Sequence, residues 1–378
     1  MAPIGDLAMA GADISEHHAG AVLSVNLDAV QSNYRLLRER LGDIPSAAVI
    51  KADGYGLGAA PVARALANAG CQTFFVFHVE EGVHARQALP DSEIHVLNGL
   101  LPGAEDAYRE HRLVPVLGSL GEMDAWRDAC SGDPLPCDLH VDTGMLRLGL
   151  PPDELSRIAD DESLTAGLNV AYIISHLASA DEPESLQNAQ QLAAFREVRK
   201  VLPMGRACLC NSSGIFLGAD YHFDLARPGV ALYGVAPVPG QPNPLSPVID
   251  LKGRIIQLRD AAAGDTIGYG ATYRVEQPTR IATVPVGYAD GYLRSLSNNA
   301  CGYIGGAKVP LVGRVSMDLI TFDVSGVPEH DCRPGAWIEL IGANNSVDDA
   351  AAAAGTIGYE ILTSLGNRYH RVYSGGEA

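Results

Sequence analysis

The chain has 378 residues, 47% of them hydrophobic and 19% charged, with a formal net charge of −18. That length exceeds a single core and predicts a large domain plus a smaller one, and the composition excludes a disordered chain. A surface this acidic repels nucleic-acid phosphates and anionic membranes, and no apolar run approaches the length that spans a bilayer.

Residues 1–20 carry Gly, Ala, Asp and two histidines, His17 and His18, with no apolar stretch behind a basic start. They read as a loose tail rather than a secretory signal. AVLSVNL, from residue 21, is strand-like and leads into a helix, DAVQSNYRLLRERLG, with Asp28 as N-cap and Gly42 as its stop. Between about residues 46 and 235 eight short apolar runs follow, SAAVI, TFFVF, EIHVL, LVPVL, DLHV, AYIIS, ACLC and FDLA, separated by amphipathic stretches. Strand alternating with helix predicts a parallel sheet, and eight repeats predict an N-terminal (β/α)8 TIM-type barrel over a doubly wound sheet. Lys51, His140, Asp142, His176, Asn211 and Arg227 all fall at or just past the C-terminal ends of these runs. Barrels of this kind assemble their active sites there.

GVAPVPGQPNPLSP, after Tyr233, can continue neither a helix nor a central strand and predicts a linker. Beyond it RIIQL, RIATVPV, KVPLVG, LITFDV and AWIELI predict a C-terminal mainly-β domain, in which only VDDAAAAAG reads as helical. The expected division is 21–240 for the barrel and 245–378 for the β-rich domain, with the first strand near 21–27 free to join the latter. Cys71, Cys130, Cys137, Cys208, Cys210, Cys301 and Cys332 form an odd, scattered set without metal spacing. Reduced thiols, a cytoplasmic location and no metal are the expectation.

AAVIKADGYGLG sets Lys51 directly after a buried strand and before a glycine-bracketed turn that opens the helix APVARALANAG. Desolvation at a barrel mouth lowers an ammonium pKa and makes the nucleophilic amine accessible, which a Schiff-base lysine needs.

KADGYGLG resembles the lysine motif of the fold type III pyridoxal-phosphate (PLP) enzymes, and specifically the alanine racemase family. The resemblance continues through HVDTGMLRLG (140–149), SHLASADE (175–182), CNSSG (210–214), RPGVALYG (227–234), GYGATY (268–273), GYADGYLR (287–294), GRVSMD (313–318) and TIGYE (356–360). It implies PLP-dependent racemisation of L- and D-alanine by two bases on opposite faces of the substrate, Lys51 and a Tyr269 supplied by the partner subunit of a homodimer. A phenol of pKa about 10 is a poor base near neutrality. His176 is the group that the resemblance offers to assist Tyr269.

By the same resemblance Arg227 faces the pyridine nitrogen. A guanidinium keeps its proton, so the ring stays a weak electron sink, which suits rapid reprotonation and disfavours transamination. Tyr55, Ser212, Gly229, Val230 and Tyr359 match the phosphate donors, with Asn211 also in the cofactor site. Arg147 and the Met317 amide match the substrate-carboxylate site, and Tyr288, Asp318 and Arg294 its entrance and surroundings. Two positions depart from the family. His140 stands where many members have a carbamylated lysine, so Arg147 is expected to be oriented by neutral His140 or a bound anion. Cys208 stands where a histidine usually supports the pyridine-facing arginine, and reads as a small buried hydrophobe.

Other readings of the same blocks are a racemase of serine or broader specificity, a non-catalytic PLP-binding barrel, and a PLP decarboxylase. The β-rich domain argues against the second and Arg227 against the third. D-alanine for cell-wall peptide and alanine catabolism are the two roles that fit the first reading.

Overall fold

The computed structural model describes residues 16–130 and 132–377, so the expected N-terminal tail lies outside the described residues as far as residue 15. Glu16–His18 form a single 3-10 turn. The chain divides into two units. One joins residues up to Val25 with Ile249–Val372, and the other runs over Asn26–Val248 and takes in Tyr373 onward.

Strand β1, Ala21–Asn26, passes directly into the helix Leu27–Leu41. The cap is Asn26, whose side chain accepts from the Ala29 amide at 3.0 Å, and not Asp28. Asn26 is the residue with extended backbone before the first turn. Asp28 lies within that turn, where its charge complements the helix dipole and its carboxylate accepts from the Gly376 amide at 2.8 Å. Gly42, at φ 64°, ends the helix as expected.

Seven strands then form one parallel sheet in sequence order: β2 Ala48–Val49, β3 Thr73–Val76, β4 Glu93–Val96, β5 Leu113–Leu117, β6 Pro136–His140, β7 Asn169–Ile174 and β8 Arg206–Cys208. Helices Ala59–Asn68, Val79–Ala88, Glu105–Glu110, Leu120–Ala129, Pro152–Asp160 and Leu186–Val201 intervene. Phe74, Phe75, Val96, Leu139 and Ile173 are fully buried, as strands covered on both faces require. The eighth apolar run is not a strand. Phe223 sits in a turn at φ 51° and Pro228 has no amide to donate. The run still closes the sheet into a barrel. Ala47 and Val49 donate to the carbonyls of Ala226 and Pro228 at 2.9 Å on one side, and Arg227 donates to that of Cys210 at 2.8 Å on the other.

In the other unit a six-stranded sheet runs β15-β14-β17-β9-β1-β18 and a three-stranded sheet runs β10-β13-β16. These are β9 Ile249–Arg254, β10 Gln257–Ala261, β13 Thr279–Val284, β14 Cys301–Ile304, β15 Ala307–Pro310, β16 Ile320–Asp323, β17 Trp337–Ile341 and β18 His370–Ser374, with β11 Thr266–Ile267 and β12 Tyr273–Arg274 as a small separate pair. A Cβ on Gly253 of β9 would lie 2.3 Å from Val284 of β13, so glycine there lets the two sheets approach. Val347–Ala354 is helical as expected, and a second helix, Gly358–Ser364, follows it.

Candidate active site

Lys51 follows β2, and the chain behind it does something rare. Ala52, Asp53, Gly54 and Tyr55 all take positive φ between 53° and 62°, making a left-handed helical turn that glycine adopts freely and the other three do not. The strain is held by hydrogen bonds. Gly56 donates to Ala52 O at 2.7 Å, Gly58 to Asp53 O at 2.8 Å, and the Asp53 carboxylate accepts from the Ala59 amide at 2.7 Å. Glu81 ties the turn to the next strand: one oxygen accepts from the Ala52 amide at 2.6 Å, the other from Phe77 and His78 at 2.8 and 3.0 Å. Lys51 is thereby directed at the barrel mouth, its Nζ 5.8 Å from the Phe77 ring. Burial lowers its pKa, reinforced by Arg147 and Arg227 and opposed by Glu81.

Arg227 is 4% exposed, and both of its terminal nitrogens are engaged. One terminal nitrogen donates to Cys208 O at 3.0 Å and reaches Cys208 Sγ at 2.9 Å, while the other donates to Ser175 O at 2.8 Å and to His176 Nδ1 at 3.4 Å. Cys208 is therefore more than a small hydrophobe. Its thiol donates to Leu225 O at 3.1 Å and offers sulfur lone pairs to Arg227. A guanidinium only donates, so His176 Nδ1 must accept and the ring proton sits on Nε2. Burial, followed by Arg227, Arg147 and Lys51, drives the His176 pKa well below its usual value and keeps the ring neutral.

Tyr55 stacks on Tyr233 with ring centroids 4.6 Å apart, and its hydroxyl occupies the space that a side chain at Gly229 would need, 2.2 Å from an ideal Cβ. Ser212, 3% exposed, accepts at Oγ from the amides of Gly229 at 2.9 Å and Ala231 at 3.3 Å. Val230 opens the 3-10 turn Val230–Tyr233 beside them. Two hydroxyls and a run of amides thus converge on the glycine. Asn211 braces its own turn instead, accepting from Gly214 N at 2.9 Å and donating to Leu177 O at 3.4 Å.

Arg147 is exposed on a loop, residues 142–149, whose ends are closed by Leu150 N to His140 O at 2.8 Å and Asp142 N to Leu150 O at 3.2 Å. The Asp142 carboxylate holds the loop from within, accepting from the amides of Gly144, Met145 and Leu146 at 2.8–3.2 Å. His140 is pushed down to about 4, chiefly by burial and then by Arg227, so its ring is neutral at working pH. Among the described residues no hydrogen bond joins His140 to Arg147. The groups that fix the Arg147 loop are Asp142 and two glutamines, Gln187 and Gln191, that the sequence motifs do not single out.

The other unit gathers its own set. Tyr269 is 74% exposed on a turn between Gly268 and Gly270, both at positive φ. Tyr288 N donates to Ser316 O at 2.9 Å and Ala289 N to Met317 O at 3.0 Å, an approach that a Cβ on Gly287 would obstruct. Arg368, absent from every motif, donates to buried Asp290 and to Asp318, each at 2.8 Å, and so joins the Tyr288 turn to the Met317–Asp318 turn. Arg294 is exposed at the start of the turn Arg294–Leu296, and Tyr359 lies near the start of the helix Gly358–Ser364.

Residues 25–237 match the family model for the alanine racemase N-terminal domain, and residues 248–373 that for the C-terminal domain. The chain belongs to the alanine racemase family. It is 48% identical to a catabolic alanine racemase of Mesorhizobium japonicum, over 99% of this chain and 98% of the relative. It is equally similar to the alanine racemase of Rhizobium meliloti, over 95% and 98% of the two chains. Among solved structures it resembles the alanine racemase of Bartonella henselae with covalently bound pyridoxal phosphate, at a TM-score of 0.91 and 39% identity over 94% of this chain and all of that one. The biosynthetic alanine racemase of Pseudomonas aeruginosa follows at 0.87 and 35%, with the same coverage. No helix among the described residues is long and apolar enough to cross a membrane.

Proposed function

We propose that the protein interconverts L- and D-alanine with PLP held on Lys51. The observation that carries this reading is the amine at the barrel mouth, kept below its usual range by burial and by two guanidiniums. Several features fit PLP. Tyr55 Oη, Ser212 Oγ and the Val230 amide suit a phosphate, while Tyr359 and the Gly229 amide, which donates here to Ser212 Oγ, are phosphate contacts that the family resemblance adds. Arg227 suits an unprotonated pyridine nitrogen. Lys51, Arg147 and Arg227 form a cationic focus in an otherwise acidic chain, which draws in both an anionic cofactor and a carboxylate.

PLP when bound withdraws electrons from the substrate and acidifies its Cα–H. Lys51 takes or returns the Cα proton on one face. Tyr269 of a partner subunit does so on the other, its phenol assisted by the neutral His176, whose Nε2–H is a donor. Arg147 holds the carboxylate, and the Met317 amide is the second donor that the family resemblance adds. Tyr288, Asp318 and Arg294 shape the approach, and Asn211 supports the cofactor wall through its turn. Neutral His140 spares Arg147 a neighbouring positive charge and leaves room for an anion beside it. A cytoplasmic homodimer is part of the same proposal.

The test is solvent deuterium entering Cα of L-alanine and L-serine in the presence of PLP, with the product chirality read on a chiral column. Exchange with formation of D-alanine is expected, faster than for serine. Absence of α-exchange with either substrate would overturn the reading.

A further inference from the structure

We infer that Gln191, assisted by Gln187 one helical turn earlier, is a positioning residue that locks the loop carrying Arg147 to the segment carrying His176. The inference rests on the reading of Arg147 as the carboxylate-binding residue.

Both glutamines lie on the helix Leu186–Val201 at i, i+4 spacing and so share a face. Gln191 is 1% exposed. Its Nε2 donates to Thr143 Oγ1 at 3.2 Å and to His176 O at 2.8 Å, while its Oε1 accepts from the Ala178 amide at 2.8 Å. Both amide protons are used, and so is the oxygen. Thr143 follows directly on Asp142, whose carboxylate folds the Arg147 loop, and its hydroxyl also meets Ser175 Oγ at 2.7 Å. Gln187 repeats the bridge nearer the surface, donating to Gly144 O at 3.0 Å and accepting from Ser179 Oγ at 2.7 Å.

Two strand ends, β6 and β7, therefore carry the arginine and the histidine, and a single helix face fixes one against the other. The Ser175 carbonyl bonded to Arg227 belongs to the same segment, so the clamp aligns three groups of the site. A buried amide with every group satisfied is stiff, and losing it leaves the His176 carbonyl and the Ala178 amide without this partner and the Thr143 hydroxyl with Ser175 alone. The loop would then wander on the scale that weakens carboxylate binding, while Lys51 and Tyr269, which move the protons, lie on turns outside the clamp. Loss of binding common to ground and transition states appears in KM rather than kcat.

The experiment uses the PLP-loaded enzyme with alanine. Gln191→Met keeps the length and removes the hydrogen bonds; it should raise KM for both enantiomers about tenfold with a smaller change in kcat, the size of one or two buried hydrogen bonds. An equilibrium constant of unity requires the same loss of kcat/KM in both directions. In an Arg147→Lys background the substitution should add little, because the two act as one unit. Hydrogen exchange at the Gly144–Leu146 amides, read on the protein itself, should accelerate. Should Gln191→Met fold poorly, Thr143→Val, which removes only the hydroxyl that Gln191 reaches, should give the same rise in KM in smaller measure. Unchanged KM, additivity with Arg147→Lys, or parent-like exchange of those amides overturns the inference. If the parent enzyme does not racemise alanine, it is the proposed function that falls instead.

Discussion

Lys51, Arg147 and Arg227 share a mouth in which each cation lowers the pKa of the lysine, and only that lysine can yield its proton. Arg227 is fixed by a sulfur where the family usually has a ring nitrogen, and the consequence is measurable. Cys208→Ala removes that acceptor and should lower turnover or PLP affinity about three- to tenfold, whereas Cys208→Ser, which keeps a donor and an acceptor, should cost less. Cofactor titration and steady-state kinetics decide it, and parent-like behaviour of Cys208→Ala would leave the thiol as mere packing. The motifs made Lys51, Arg227 and Arg147 legible because their residue types are unusual where they stand. Cys208 is buried, as a thiol in an apolar run predicts, but its bond to Arg227 depends on the register between β8 and the closing run, which the run alone does not show. Gln187 and Gln191 stayed hidden because polar residues four apart on a helix resemble a solvent face.

The barrel strands were readable as apolar runs, yet two features at this scale came from long-range hydrogen bonds. One is the left-handed turn after Lys51, where KADGYG shows glycines but not that Ala52, Asp53 and Tyr55 join them at positive φ. Glu81 supports that turn from the first turn of the helix Val79–Ala88. Glu81→Ala strands three amides and should cost roughly 1–3 kcal/mol of stability by chemical denaturation, with weaker retention of cofactor. No loss of stability would show that the turn holds itself. The other is a buried pair between β4 and β6. His95 Nδ1 lies 2.6 Å from Asp138 Oδ2, both essentially unexposed, and Glu93 approaches the far nitrogen at 3.8 Å. Burial opposes protonation of His95, but the two carboxylates prevail and lift its pKa to about 9. EIHV and DLHV announce strands, while the inward meeting of His95 and Asp138 follows from strand order.

Across the whole molecule the histidines give stability opposite slopes on either side of neutrality. His95, raised from 6.5 to about 9, contributes fully below pH 6.5 and loses its contribution as pH rises through 9. His140, lowered from 6.5 to about 4, contributes above 6.5 and loses its contribution as pH falls toward 4, where the unfolded chain binds the extra proton. Melting temperature should therefore peak near pH 6.5. His95→Gln should flatten the alkaline limb and His140→Asn should make the acid one, which His176 shares, less steep; a limb unchanged by its substitution would contradict the assignment. The two-part plan was visible in the change from alternating strand and helix to short turn-separated strands. The exposed Tyr269, Met317 and Tyr288 had no meaning in that pattern without the family blocks. The proposal gives them one: each site takes Lys51 from one subunit and Tyr269 from its partner. Co-expressing Lys51→Ala and Tyr269→Phe chains with different tags and isolating the doubly tagged dimer tests this most directly. One intact site of two, with about half the parental racemase activity, is the predicted result; a hybrid as inactive as either parent variant would contradict it.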